Sequence, residues 1–187
     1  MPHSRIHIVG ASGSGTTTLG IALAERLGLT HLDTDDFYWL PTDPPYTAPR
    51  PASERVSLLR AATDAATSGW ALSGSLLKWG DSFIRHFNLV VFLRIDPEAR
   101  MARLHERERR RYGALIEPGG AMHAQHLEFI EWARGYDDPA FTGRSLASHR
   151  AWLAGLPCPV IELDGAAALE DGVAAVLAVP LPLEGRG

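Results

Sequence analysis

Apolar residues along the chain follow two alternating periods, one typical of buried strands and the other of amphipathic helices. Five runs that are β-branched or almost continuously apolar predict strands, at 5–9, 30–33, 70–73, 88–95 and 158–163. Six segments with an apolar residue at every third or fourth position predict helices, at 19–27, 53–67, 97–113, 119–134, 145–154 and 166–178. Strands that alternate with helices predict a three-layer α/β fold with a parallel sheet between helices.

Local signals refine the ends of these elements. Ser53 is a predicted N-cap, and Pro97 suits the first turn of the helix that it opens. Prolines between 41 and 51 forbid regular pairing, so we expect a loop there, within a flap at about 37–52. The helix from Pro97 leads into a glycine-containing loop, and we expect a lid at about 103–120.

Composition limits the class of protein. A chain of 187 residues with 45% apolar content suits one domain, which we expect at 1–180, followed by a tail at 181–187. A net charge of −4 makes a nucleic-acid partner unlikely and gives no reason to bind an anionic membrane. Cys158 is the single cysteine and no apolar signal segment opens the chain, so we expect a cytoplasmic protein. The apolar run at 89–93 is far shorter than the roughly 20 residues of a membrane helix.

A glycine-rich segment between the first strand and the first helix has the spacing of a phosphate-binding P-loop. Its residues are Gly10, Ala11, Ser12, Gly13, Ser14, Gly15, Thr16, Thr17 and Thr18. Glycines allow backbone N–H groups to converge on an anion, and the helix dipole adds positive potential. Thr16 stands where a lysine that contacts the phosphates is expected. A hydroxyl for Mg²⁺ remains on Thr16 or Thr17, and Thr17 has the motif position for that role.

Acidic residues follow the second strand. Asp33, Asp35 and Asp36 lie at its carboxyl end, where open parallel sheets bind ligands, and we expect at least one to be catalytic. Asp36 could alternatively cap a helix that starts there. Serines in the third strand and after it, Ser73 and Ser75, have no histidine nearby in sequence, so a serine hydrolase is not indicated.

Besides acidic residues, phosphoryl transfer requires cations that neutralise the charge of the phosphates. Lys78, the only lysine, follows the third strand and could supply the charge that Thr16 lacks, or could simply be solvated. Arg103, Arg107 and either Arg110 or Arg111 share one helix face, as in a lid that closes on ATP. The competing interpretation is an exposed helix with salt bridges to intervening glutamates.

With these motifs, the chain resembles the nucleoside monophosphate kinase and shikimate kinase group of P-loop kinases over nearly its whole length. This resemblance implies a five-stranded parallel sheet of order 2-3-1-4-5, ATP and Mg²⁺ as cofactors, and a small-molecule acceptor. The segment 32–35 is similar to a shikimate-kinase motif, which implies Asp33 for Mg²⁺ and Asp35 for the acceptor hydroxyl. The segment 35–38 is similar to one that holds the catalytic acid of nucleoside kinases, so the base is Asp35 or Asp36.

Other segments resemble more distant groups. The lysine-free loop around Thr16 is similar to that of archaeal-type cytidylate kinases, which implies that loss of the lysine need not abolish activity, although it could make the enzyme slow. Segments 35–39 and 70–75 resemble adenylate-kinase-like bacterial proteins and those called DNA topology modulation proteins. The Gly-Phe-Pro-Arg segment of adenylate kinases has no clear equivalent after the third strand.

The hypothesis from sequence is an ATP- and magnesium-dependent kinase for a nucleotide or nucleoside, acting as a monomer or homodimer. Aromatic residues at 37–39, with Trp79, could line an acceptor pocket. Thr17 and Asp33 serve the metal, Arg103 and Arg107 bind the nucleotide, and Arg107 with Arg110 acts on the γ-phosphate. The alternative is a regulatory protein that binds a nucleotide without transferring phosphate.

Overall fold

Five parallel strands form one sheet within residues 4–180, the part of the chain that the computed structural model describes. They are β1 (Ser4–Gly10), β2 (Thr30–Asp33), β3 (Gly69–Ser73), β4 (Leu89–Arg94) and β5 (Val160–Asp164). Their order is β2-β3-β1-β4-β5, which confirms the predicted fold class and strand order. The predicted tail at 181–187 lies outside the described residues.

Helices connect the strands. In residues 4–180 the α-helices are α1 (Thr16–Leu27), α2 (Thr34–Tyr38), α3 (Ala52–Ala65), α4 (Pro97–Tyr112), α5 (His123–Arg134), α6 (Leu146–Ala154) and α7 (Leu169–Leu177). Short 3-10 helices lie at Asp81–His86, Gly113–Ile116 and Gly135–Asp137. None of the helices in this part of the chain is long and apolar enough to cross a bilayer.

The sheet is covered on both faces because side chains alternate along each strand. On one face Ile8 packs in a cluster with Leu23 of α1 and Val176 of α7. On the other face Leu72 shares a cluster with Leu59 of α3. This arrangement is the predicted three-layer packing.

Three predicted helix starts are wrong, one of them the start expected at 166, since α7 begins at Leu169. Ser53 is not an N-cap, because α3 begins at Ala52 directly after Pro51. The helix expected from 119 begins at His123, because Gly119 has a φ of +87°, which a right-handed helix does not allow, and bends and turns occupy 117–122. Pro97 does open α4, and the Asp96 side chain caps it by accepting from two backbone N–H groups at 2.9 and 3.1 Å.

Strand register places the glycine-rich loop and the acidic segment after β2 at one edge of the sheet. Ser73 of β3 is aligned with Ile8 of β1 on one side and with Asp33 of β2 on the other. The P-loop follows β1 just beyond this level, between Gly10 and α1. The glycine-rich loop and the acidic segment after β2 therefore meet at the carboxyl ends of adjacent strands.

Candidate functional site

The P-loop adopts a conformation that depends on glycine. Gly13 and Gly15 have φ of +88° and +97°, in the left-handed region. A Cβ on Gly13 would lie 2.9 Å from the carbonyl oxygen of Arg100, so the loop also packs closely against α4. With Gly15 as N-cap and no capping side chain, the first N–H groups of α1 are left for a ligand.

Asp33 is bound to the P-loop and to β3. The Thr17 hydroxyl donates to Oδ2 of Asp33 at 2.8 Å, and the Ser73 hydroxyl donates to the same oxygen at 3.1 Å. Oδ1 accepts from the backbone N–H of Asp35 at 3.0 Å, so Asp33 is the N-cap of α2. The capping role predicted for Asp36 therefore falls to Asp33, because the helix starts immediately after the strand.

His31 interacts with the Ser73 hydroxyl that contacts Asp33. Because Ser73 uses its hydrogen on Asp33, its oxygen can accept from Nε2 of His31, which lies 2.9 Å away. Burial lowers the pKa of His31, while the charges of Asp33 and Asp36 oppose the shift. Asp33 is thus oriented by three hydrogen bonds, which come from α1, α2 and β3.

Asp35 and Asp36 are in different electrostatic environments. Burial, assisted by Asp33, raises the pKa of Asp35, and the nearby arginines Arg144, Arg107 and Arg111 oppose the rise. Burial and Asp33 also raise the pKa of Asp36, but there the opposing charge is His31. The Asp35 side chain is exposed, so it remains accessible to a ligand while interacting electrostatically with these arginines.

The predicted lid arginines are divided between two environments. Arg107 bonds Oε1 of the buried Glu108 through two nitrogens, at 3.1 and 3.2 Å, and acts on Asp35. Arg103 donates to the carbonyl of Gly165 at 2.7 Å. Arg110 is 80% exposed and pairs with Glu106 at 3.4 Å, as the salt-bridged alternative proposed.

The predicted lid touches the predicted flap. At the end of α4 the Tyr112 hydroxyl donates to the carbonyl of Pro45 at 3.2 Å, and Arg111 lies 4.6 Å from the ring centre of Tyr46. The flap is closed on itself by a backbone bond from Leu40 to Ala48, 2.9 Å long. The two predicted coverings of the site are thus in contact.

Aromatic rings cluster where the sequence predicted an acceptor pocket. Tyr38 lies 4.9 Å from Trp39 and 6.2 Å from Trp79, measured between ring centres. The guanidinium of Arg55 stacks over Tyr38 at 3.7 Å. Edge-to-face rings with an adjacent cation suit a flat ligand or one carrying negative charge.

Lys78 and Arg144 differ in whether they contact the P-loop. Lys78 is exposed and has a φ of +71°. Arg144, which the sequence argument missed, donates from Nη2 to the Ser12 hydroxyl of the P-loop at 2.9 Å. One sequence signal was available: a basic residue just before the N-cap Ser145 of α6 opposes the helix dipole.

Ser73 and Ser75 both bond histidines, contrary to what the sequence indicated. Nε2 of His149 lies 3.1 Å from Oγ of Ser75, and its Nδ1 lies 2.8 Å from the hydroxyl of Tyr136. His149 is fully buried, and burial lowers its pKa to about 3. A triad needs a carboxylate as third member, and a tyrosine is there instead, so the group is structural.

A glycine-rich loop at the start of α1, with an acidic strand end hydrogen-bonded to it, defines the P-loop kinase fold. A crystal structure of a sugar kinase from Janibacter sp. HTCC2649 is 20% identical and has a TM-score of 0.53, with 94% of this chain and 93% of that chain covered. A shikimate kinase from Bacteroides thetaiotaomicron is 17% identical with a TM-score of 0.50, and 92% and 95% are covered.

Sequence comparison identifies the family. YqaC from Bacillus subtilis (strain 168), described as uncharacterized, is 44% identical over 172 residues, which are 92% of this chain and 94% of YqaC. The chain therefore belongs to the same family as YqaC. No protein-family model matches the chain.

Proposed function

We propose that the protein is an ATP-dependent phosphotransferase that moves the γ-phosphate to a small-molecule acceptor. The observation that carries this proposal is the 2.8 Å hydrogen bond between Thr17 and Asp33, because it joins the P-loop to the acidic strand end. Asp35 follows two residues later and faces arginines. A protein that only held a nucleotide would need neither the acidic segment nor the arginine-bearing lid.

Mg²⁺ fits this donor set. No group of three His, Cys, Asp or Glu side chains within 4–180 could hold a metal by itself. Mg²⁺ in phosphotransferases needs fewer protein ligands, since it keeps waters and uses substrate phosphates with one or two carboxylates. Thr17 and Asp33 supply such oxygens, Thr17 as a ligand and Asp33 through water. When bound, the ion would neutralise charge on the β- and γ-phosphates.

In the reaction, the acceptor hydroxyl oxygen attacks the γ-phosphorus while the bond from that phosphorus to the β–γ bridging oxygen breaks. ADP leaves with the electron pair of that bond. We assign the acceptor's proton to Asp35 rather than Asp36, because Asp35 faces Arg107 and Arg144 whereas Asp36 interacts with His31. A raised pKa makes Asp35 a better proton acceptor than an ordinary aspartate.

Backbone groups of the P-loop, from Gly10 to Thr18, cradle the β-phosphate, and Arg103 and Arg107 close over the nucleotide from the lid. The lid (103–120) and the flap (37–52) move within a single domain at 1–180. Arg110 and Lys78 are less suitable for contacting the γ-phosphate than Arg107 is. Arg110 pairs with Glu106 on an exposed face, and Lys78 is exposed.

For the acceptor we propose a nucleoside or nucleotide, supported by the rings of Tyr38, Trp39 and Trp79 and by Arg55 over Tyr38. A base could stack on these rings. The neighbouring folds include a sugar kinase and a shikimate kinase, so sugars and hydroxy acids are the acceptors to compare with nucleosides.

The test measures ADP release from Mg-ATP with a panel of nucleosides, nucleoside monophosphates, sugars and hydroxy acids. Acceptor-dependent release that Asp35→Asn slows by about 10²-fold or more is the expected result. Measurable ATP affinity without turnover on any acceptor would favour the regulatory alternative, which the replacement of the P-loop lysine by Thr16 supports. DNA affinity that falls with salt would favour a nucleic-acid role, which the net charge of −4 opposes.

A further inference from the structure

Arg144 lies against the P-loop, although 132 residues separate it from its partner there. Its Nη2 donates to the hydroxyl of Ser12 at 2.9 Å. Its guanidinium also lies 4.9 Å from the ring centre of Trp132 on α5. These two contacts hold the charged group beside the loop without using most of its five N–H donors.

The charge of Arg144 is not balanced by a direct partner. Among the described residues, Arg100 pairs with Asp137 at 2.8 Å and Arg107 with Glu108 at 3.1 Å, whereas Arg144 forms no ion pair with this part of the chain. Its Nε is buried and has no hydrogen-bond partner there. A buried guanidinium without a counterion is costly, which makes an anion beside it favourable.

Among the acidic groups, Asp35 has the largest electrostatic effect on Arg144. Burial lowers the pKa of Arg144, and Asp35 gives the largest opposing effect. Arg144 likewise opposes the raised pKa of Asp35 more than any other positive group does. Arg144 therefore hydrogen-bonds the P-loop at Ser12 and also interacts electrostatically with Asp35, the group that the proposed reaction places at the acceptor.

We propose that Arg144 binds the terminal phosphate of ATP and takes the place of the lysine that Thr16 replaces in the P-loop. This inference rests on the proposed function. Other cations suit the role less well, because Arg100 pairs with Asp137, Lys78 is exposed, and Arg107 lies on the lid, where it pairs with Glu108 and would cover the nucleotide. A planar guanidinium can bind two phosphate oxygens at once, which a lysine ammonium cannot do in the same geometry.

The experiment compares the affinities of Mg-ATP and Mg-ADP by titration calorimetry, which requires no acceptor. The variants are Arg144→Met, Arg144→Lys and the control Arg150→Met, an exposed arginine on α6 that is 3.9 Å from Glu162. Loss of a charge-assisted contact predicts that Arg144→Met weakens ATP binding by roughly tenfold or more while ADP changes by less than about threefold. Arg144→Lys should lie between the parent and Arg144→Met, and Arg150→Met should match the parent.

A second comparison tests the replacement itself. Adding Thr16→Lys to Arg144→Met should restore ATP affinity, and the gain should exceed that of Thr16→Lys in the parent. If Arg144→Met does not fold by thermal melting, Arg144→Lys decides, since a fully retained preference for ATP over ADP would overturn the inference. Equal losses of ATP and ADP affinity in Arg144→Met would also overturn it. Absence of nucleotide binding in the parent would instead reject the proposed function.

Discussion

The hydroxyl of Thr17 donates to Oδ2 of Asp33 at 2.8 Å and so connects the first turn of α1 to the end of β2. Each group lies at the carboxyl edge of the sheet because β1 and β2 run parallel on either side of β3. The pair combines a hydroxyl and a carboxylate, both hard oxygen ligands of the kind Mg²⁺ prefers.

Asp33→Asn should reduce the gain in ATP affinity that Mg²⁺ provides. The amide keeps the size of the side chain and can still cap α2, but it removes the charge that orients the metal shell, so we expect a loss of roughly tenfold or more. ATP titrations in Mg²⁺ and in EDTA measure the effect. Asp64→Asn, an exposed acid on α3, is the matched control. An unchanged magnesium gain in Asp33→Asn would reject this metal assignment.

Asp35→Asn and Asp36→Asn should differ in turnover. Removing a general base costs about 10²-fold or more, so Asp35→Asn should lower kcat by that amount with little change in ATP affinity, and Asp36→Asn should not. Steady-state rates on the best acceptor from the panel provide the comparison. Equal losses in both variants would show that the base is not Asp35 alone.

The pH dependence of turnover provides an independent test of Asp35. Its pKa is raised above the ordinary aspartate value, so the carboxylate is protonated, and inactive as a base, to a higher pH than usual. The acid limb of kcat/KM should therefore lie above pH 3.8. A limb at or below that value, or one unchanged in Asp35→Asn, would contradict the assignment.

Gly13→Ala should lower both stability and ATP affinity more than Gly28→Ala does. Both glycines have positive φ, +88° and +68°, so a Cβ strains either backbone by about 1–2 kcal/mol. Only at Gly13 would the new methyl group meet the Arg100 carbonyl, at 2.9 Å, whereas nothing lies within 4 Å at Gly28. Urea unfolding and ATP titration should show a larger stability loss and weaker ATP binding for Gly13→Ala alone. Equal effects of the two substitutions would mean that the loop tolerates displacement.

Stability should fall in acid because of His7. Its Nδ1 donates to the Leu72 carbonyl at 3.0 Å, its Nε2 is buried without a partner among the described residues, and burial lowers its pKa from 6.5 to about 4. The unfolded chain binds this proton first, so stability is complete above pH 6.5 and declines as pH falls towards 4. The slope from His7 is at most about 1.4 kcal/mol per pH unit.

Urea unfolding between pH 7.5 and 4.5 measures that slope. His7→Gln keeps a hydrogen-bond donor but cannot titrate, so it should flatten the dependence. The buried His149, whose pKa is lowered to about 3, should leave part of the slope in this variant. An identical slope in parent and variant would exclude His7 as the source.

Local patterns predicted the sheet and the P-loop because each depends on neighbouring residues. The apolar run of β4 indicates burial on both faces, and glycine spacing between β1 and α1 indicates a phosphate loop. The start of α5 was wrong by four residues, since a 3-10 turn after α4 has no comparable periodic signal.

Arg144 could not be predicted in the same way. Its contact with Ser12 spans 132 residues and depends on how the segment between α5 and α6 folds back onto the P-loop. The pairing of Arg107 with Glu108, rather than with solvent, likewise depends on the burial of Glu108 against neighbouring elements. Such side-chain pairings are set by tertiary packing, not by the spacing of residues along one helix.

The hydrogen bond from Tyr112 to Pro45 connects the lid, which would cover the nucleotide, to the flap, which would cover the acceptor. Under the proposed reaction, one opening would release both products, so ADP and the phosphorylated compound should depart together rather than in a fixed sequence. A cross-link that prevents the lid and the flap from separating should therefore retain both ADP and the phosphorylated compound in the enzyme.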